Sequence, residues 1–426
     1  MKYERIKARS LLSKRIQADG WFHINRSLNA YRGCEHGCVY CDGMSEYYHV
    51  DNFTTHVRAK DNAPEVLRKE LKKESYTSKS ELESETLWSF LDKEDAARLA
   101  MKSPRKQVIG VCGGVSDGFQ PFEKECRITQ RIMETLLDFN LPLSILTKSD
   151  LVLRDLDLIK EIHRETNANV MFTITLHDNE TQKIFEPKAS STSERFDALK
   201  QFRKAGIPGG VMATPIIPTV GDNDDNLEGL VREAKRVGAE FILFGGMTLK
   251  PGRQKDYFLN VVRKRFPKKL DAIKRIYSNN DKYGTPLWRE VPVNVMLRGH
   301  QICKQIGISD RSIRHRLPGE PEANHLVLSV LLDLVFYNSY LLGRPRNESQ
   351  HLNELAKAIE RGMPDLAQLH QENTLESTLR PYAQSIPVVL EIMEKGSSSF
   401  LENIEESITS KTRTKAEFVA WDKKNG

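Results

Sequence analysis

The chain lacks most of the features that would assign it quickly. Its 426 residues hold six cysteines, too few for a disulfide scaffold, which leaves reduced thiols used for a metal or a reaction. The first 33 residues are polar and contain no apolar stretch of the kind a secretory signal needs. The most hydrophobic run, HLVLSVLLDLVFYNSYLLG (325–343), is broken by Asp333 and Asn338 and suits a buried helix better than a membrane span. A cytoplasmic location with no membrane partner is the expectation. No G-x-G-x-x-G follows the first strand, so a dinucleotide site is not supported, and no internal repeat of fixed period is visible.

What is present reads as a soluble globular protein, 39% hydrophobic and 29% charged, long enough for one large domain or two ordinary ones. The net charge of +6 is modest but uneven. Residues 1–33 carry eight basic side chains against two acidic ones, and a second basic cluster runs from Arg289 to Arg316. Such clusters follow a nucleic-acid backbone or simply form a solvated face.

From residue 107 short apolar runs alternate with amphipathic stretches. QVIGVCGG (107–114), LSILTKS (143–149), NVMFTITL (169–176), GVMATPIIP (210–218) and FILFGGMTL (241–249) have the composition of strands buried on both faces. Helices are expected at about 125–139, 154–165, 192–205 and 224–237, the last two stopped by Gly206 and Gly238. With an element near 28–32 this gives about six strands in the βαβ rhythm of a parallel sheet, which a doubly wound sheet would also fit. Residues 75–103 read as a charged, helical insertion. Beyond about 290 the strand signals fade into a helical region with a polar tail from about 408.

YRGCEHGCVYC (31–41) places Cys34, Cys38 and Cys41 within eight positions. Three thiolates on one short loop suit an iron–sulfur cluster, with one iron left open for another ligand. A structural zinc wants four closed ligands; His36 stands too near its neighbours, and Cys112, Cys126 and Cys303 are distant in sequence.

Placed just after a first strand in a parallel α/β chain, the spacing resembles the radical S-adenosylmethionine superfamily. SLNAYRGCEHGCVYC, VRAKDNAPEVLRKEL, GGVSDGFQPFEKECRITQRIMETLL, SILTKSDLVLRDLDLI and GVMATPIIPTVGDND resemble the branch that contains spore photoproduct lyase, over about residues 8–250. The resemblance implies a partial (β/α)6 TIM-type barrel with a helical C-terminal extension. It divides the chain into a basic segment (1–26), a core barrel (27–290, with the insertion at about 75–103) and a mainly helical region (291–426). It also implies a [4Fe–4S] cluster on Cys34, Cys38 and Cys41, with S-adenosylmethionine on the open iron. Reductive cleavage would give a 5′-deoxyadenosyl radical that abstracts hydrogen from a substrate. A nucleic acid is the leading substrate, and the electron comes from a reductant such as flavodoxin or ferredoxin.

On that pattern Tyr40 occupies the aromatic position beside the adenine, and Gly113, Gly114, Ser116 and Asp117 occupy the site of the methionyl amino group. Lys148, closing the third strand, would pair with the cofactor's carboxylate. Thr173 and Thr175 share a face of the fourth strand by period 2, and Thr175 is favoured as the hydroxyl near the ribose or carboxylate. Two positions depart from the pattern. Gly114 stands where the lyases keep a hydrogen-donating cysteine, which leaves Cys112 as a displaced donor or a buried small hydrophobe. Asp42 stands where many relatives have tyrosine.

A reading of a different class is a DNA-binding regulator with a structural or redox-sensing metal at the cysteines. QICKQIGISDRSIRHRL (301–317) resembles a helix-turn-helix around Gly307, aiming Arg311 and Arg314 at the major groove. Basic helical ends of a barrel cap have the same look.

Overall fold

A computed structural model describes residues 1–14, 20–82, 106–111 and 115–410. Among the described residues nine strands form two sheets. β1 (Lys2–Ile6), β3 (Tyr31–Arg32) and β4 (His56–Lys60) make a small sheet in the order β1-β4-β3. β2 (Arg26–Leu28), β5 (Ile109–Val111), β6 (Leu143–Thr147), β7 (Ala168–Thr173), β8 (Val211–Ile216) and β9 (Ile242–Gly246) form a six-stranded sheet in that spatial order. Every pairing in the larger sheet is parallel, with Ile109 opposite Leu143 and Leu143 opposite Ala168. Each neighbouring pair from β5 onward is joined through helix, which is the partial (β/α)6 arrangement.

The apolar runs segregate by period 2. Val170, Phe172, Val211, Ala213, Ile242 and Phe244 pack in the main core with the covering helices. Met171, Met212 and Leu243 point the other way and meet Trp21, Phe22 and Leu146. The stretch 20–25 therefore fills the inside of the curved sheet. The expected helices form at Leu156–Glu165, Thr192–Lys204 and Asp224–Arg236, and Gly206 and Gly238 follow the last two with φ of +82° and +80°.

The helix expected at 125–139 is two, Glu123–Cys126 and Ile128–Asp138, broken at Arg127 with φ +50°. The Glu123 carboxylate accepts the backbone N–H groups of Ile128, Thr129 and Gln130 at 3.0, 3.1 and 3.2 Å. An anion capping three orphan amides starts the second helix afresh.

The helix-turn-helix is not there. Val295–Ile306 is helical and stops at Gly307, but residues 308–320 contain no helix. Ser309 instead bridges Phe241, and its carbonyl accepts the N–H of Ile242 at 2.9 Å, covering the free edge of β9. Arg311 turns inward: its guanidinium lies 3.2 Å over the Phe336 ring and donates to the Gly20 carbonyl. Arg314 pairs with Glu320 at 2.6 Å. Neither reaches out to a groove.

The C-terminal region is helical through Ser410, with its own apolar centre around Leu328, Leu331, Leu355, Ile359 and Ile392. The hydrophobic run at 325–343 lies in the helix Glu322–Phe336 and the π-turn Tyr337–Leu341. No helix among the described residues is long and apolar enough to cross a membrane.

His23 anchors the inserted stretch, its Nε2–H donating to the Ser312 carbonyl at 3.0 Å. Burial drives its pKa down to about 3, although the Ser312 carbonyl acts the other way. The folded value lies below the ordinary 6.5, so this contribution is complete above pH 6.5 and is lost progressively as the pH falls toward 3. His23→Gln, which keeps a donor but cannot titrate, is expected to flatten the decline by up to ~1.4 kcal/mol per pH unit. Urea unfolding of both proteins at about pH 7 and about pH 5 measures it; parallel declines would refute the assignment.

Candidate active site

The cysteine loop leaves β3 through Gly33, with φ +87°. A Cβ there would come within 2.4 Å of the His56 carbonyl, so only glycine fits. Distant parts of the chain fasten the loop. Cys34 N–H donates to Phe53 O (2.9 Å), Glu35 N–H to the Gln120 side chain (2.9 Å) and Val39 N–H to Phe185 O (2.7 Å). The Gln254 amide donates to Tyr40 O at 2.9 Å. Asp42 pairs with Lys250 and accepts the Tyr48 hydroxyl at 2.6 Å, so the departure at this position makes a salt link.

Cys34 and Cys38 are buried and Cys41 is half-buried. Burial pushes all three thiols up, Cys34 to about 12 with help from the Asp117 carboxylate. The backbone amides of Asp117 and His36 beside Cys34, and of Gly43 and Met44 beside Cys41, act in the opposite direction. Among the described residues no three His, Cys, Asp or Glu side chains converge on one ion. In a cubane cluster each thiolate takes a separate iron.

Tyr40 and Lys148 come together: the ammonium lies 5.9 Å from the ring centroid. The Tyr40 hydroxyl donates to Glu186, which pairs with Arg195; both charged groups are fully buried. Arg195 also donates to the Thr173 and Ser190 carbonyls at 2.6 and 2.8 Å. Burial works against the Lys148 charge, but Cys38 and Glu186 outweigh it and raise the pKa. Burial likewise opposes the Glu186 charge, and Arg195 and Lys148 overcome it and lower the pKa.

Asp117 is a hub. It accepts Thr147 Oγ1, the backbone N–H of Lys148 and that of Phe119, each at 2.8 Å, and lies 3.2 Å from His36 Nε2. Burial alone would raise its pKa; the bond to His36 and the backbone donors bring it down to about 2. The Ser116 hydroxyl donates to Tyr31 O at 2.9 Å. β7 ends at Thr173, so Thr175 lies beyond the strand, and its buried hydroxyl has no partner among the described residues. Cys112, Gly113 and Gly114 fall outside the described residues, as does 83–103 of the expected insertion.

The sequence reading missed Glu186 and Arg195. A signal for Arg195 exists: it stands on the buried stripe Thr192, Phe196, Leu199 and Phe202, where a charge needs a partner. Glu186, in the loop after a seven-residue helix, gives none.

Residues 28–234 match the Radical SAM superfamily model. The matched stretch is just under half of the chain. Similar proteins include an uncharacterised protein of Methanocaldococcus jannaschii, 29% identical over 248 residues, covering 58% of this chain and 78% of that one. An uncharacterised protein of Mycobacterium tuberculosis is 26% identical over 270 residues, covering 62% and 70%. Among solved structures, a spore photoproduct lyase variant is 17% identical with a TM-score of 0.40, covering 62% of this chain and 66% of that one, just under two thirds. The lyase complexed with dinucleoside spore photoproduct gives 17% identity and a TM-score of 0.41, over 64% and 69%. The radical SAM match takes in the cysteine loop, Lys148, Glu186 and Arg195, and leaves out β1, β9 and the helical C-terminal region.

Both charged side chains of the Glu186–Arg195 pair are wholly buried. Arg195→Leu strands a buried carboxylate and is expected to cost about 3–5 kcal/mol. Adding Glu186→Gln should recover part of that loss. Denaturant midpoints of wild type, single and double variants provide the test; a single-variant cost below about 1 kcal/mol would show that the pair is not the anchor.

Proposed function

We propose that Cys34, Cys38 and Cys41 hold a [4Fe–4S] cluster and that the residues around them bind S-adenosylmethionine. Held by these three cysteines, a reduced cluster would supply one electron for cleavage of S-adenosylmethionine into methionine and a 5′-deoxyadenosyl radical able to abstract hydrogen from a substrate. The donor set fits: three soft sulfurs on one short loop, two buried, with backbone amides beside two of them. The observation that carries the reading is the meeting of Lys148, Tyr40 and Cys38 at the C-terminal end of the parallel sheet, where βα barrels keep their chemistry.

The side chains divide the work. Lys148 presents a fixed cation to a carboxylate, and its backbone is pinned by Asp117. Tyr40, tethered through its hydroxyl to Glu186, offers a ring face that cannot swing away. Thr175 holds an unspent hydroxyl. Ser116 and Asp117 are engaged by the protein itself, so we assign them to positioning rather than to ligand contact. The electron comes from an external reductant of the flavodoxin or ferredoxin kind.

Charge lends a nucleic-acid substrate less support than residue counts imply. Arg5 pairs with Asp61 (2.7 Å), Arg26 with Glu74, Arg298 with Asp224 (2.8 Å) and Arg316 with Glu322 (3.4 Å). Most of the second cluster is thereby offset locally, with Lys304, Arg311 and Arg314 also facing carboxylates, while in the first cluster Arg5 and Arg26 do.

Anaerobic reconstitution should incorporate about four irons per chain, and reduction in the presence of S-adenosylmethionine should release 5′-deoxyadenosine. Cys38→Ala is expected to lose both. Lys148→Met should keep its iron and need about tenfold more S-adenosylmethionine, the loss expected from one charged contact. A reducible cluster that leaves S-adenosylmethionine intact would overturn the proposal.

A further inference from the structure

A cavity of about 880 Å³ opens where β8 and β9 end against the helical C-terminal region. Ile216 and Met247 line one side, and Leu332, Phe336 and Tyr340 line another. Met247 shares an apolar cluster with Cys38 and Tyr40, so the cavity and the cysteine loop are backed by one body of side chains. Its size is that of a small-molecule site.

Three features restrict the occupant. First, the wall carries a cluster of rings: Trp21 meets Phe336 and Tyr340 edge-on at 5.3 and 5.4 Å, and Trp288 and Tyr277 also line the cavity. Faces and edges of this kind suit a flat, largely apolar ligand. Second, cations are sparse in the lining: among the described residues no lysine lines the cavity, and its one arginine, Arg344, is exposed and gives one N–H to Asn338 at 3.0 Å. Third, two buried oxygens of the lining have no hydrogen-bond partner among the described residues, Asp222 Oδ2 and Ser349 Oγ. Asp222 is 7% exposed and Ser349 2%. Such a group costs on the order of 1–3 kcal/mol, which a ligand donor recovers on binding.

We propose that this cavity takes the substrate, and that the substrate is a small ring-bearing molecule, uncharged or cationic, that donates an N–H or O–H to Asp222. The assignment rests on the radical reading above and narrows it. An anionic ligand would meet the buried Asp222 carboxylate, which is discrimination by repulsion. Asp222 lies inside the stretch matched to the superfamily, whereas Trp21, Trp288, Phe336, Tyr340 and Ser349 lie outside it.

Calorimetric titration of the full-length, anaerobically reconstituted protein with one ring in three charge states tests this. 2-Naphthylmethylamine and 2-naphthol should bind about tenfold or more tightly than 2-naphthoate. Asp222→Leu should erase that difference. Asp222→Asn should keep 2-naphthol binding and lose the preference for the amine, and an unchanged melting profile and iron content certify that each variant is folded. Equal binding of the three probes, tighter binding of the carboxylate, or no binding of any would overturn the proposal. Release of 5′-deoxyadenosine, followed in the same preparations, keeps the two readings apart. Selective binding without cleavage removes the radical chemistry and leaves the pocket; cleavage without selective binding does the reverse.

Discussion

The ion pair between Glu186 and Arg195 is the constraint on which the site depends. Two opposite charges removed wholly from water are stable only when each remaining donor and acceptor is engaged. Here the guanidinium also serves the carbonyls of Thr173 and Ser190, and the carboxylate also accepts Tyr40 and Gln182. The end of β7, the helix beginning at Thr192 and the cysteine loop must therefore take up their positions together. One misplaced partner leaves a buried charge exposed to an apolar surround, which penalises partial assembly far more than an apolar contact would.

Asp117 does a similar service on the other side of the loop. Its carboxylate gathers the amide of Lys148, the hydroxyl of Thr147 and the amide of Phe119, while His36 reaches it from the cysteine loop itself. β5, β6 and the loop are joined at their common end by polar contacts, although apolar packing joins them elsewhere. Directional bonds are required where a cation and a ring must be held in register, because apolar packing alone tolerates small shifts.

Much of this was legible in the sequence, for identifiable reasons. Strands buried on both faces announce themselves as Val/Ile/Phe runs: β6, β8 and β9 fall inside the stretches marked by composition, and β7 starts one residue before its own. The cysteine spacing is local and survives any folding. What escaped is non-local or polar. β1 reads as a charged segment because four of its five residues are exposed, and only its pairing with β4 makes it a strand. The break at Arg127 depends on Glu123 receiving Tyr31 and Arg154 as well as three amides. The apparent helix-turn-helix failed because β9 offered Ser309 an unpaired edge, an attraction invisible in residues 301–317.

That failure bears on how basic clusters should be read. Arg298, Arg311, Arg314 and Arg316 look from the sequence like a surface prepared for phosphate, yet each is committed to a carboxylate, a carbonyl or a ring within the protein. Arginine suits this use, since its planar fork retains several donors while its face stacks on an aromatic. The joint between barrel and extension is built from such contacts, with Arg311 inserted between Gly20 inside the sheet and Phe336 on the helical side. Phe336 also lines the large cavity, as does Trp21, the residue next to Gly20. Arg311, which reads from the sequence as pointing outward toward a polymer, thus joins two walls of the cavity. In this chain the arrangement of the arginines, rather than their number, decides how much of their charge is left free.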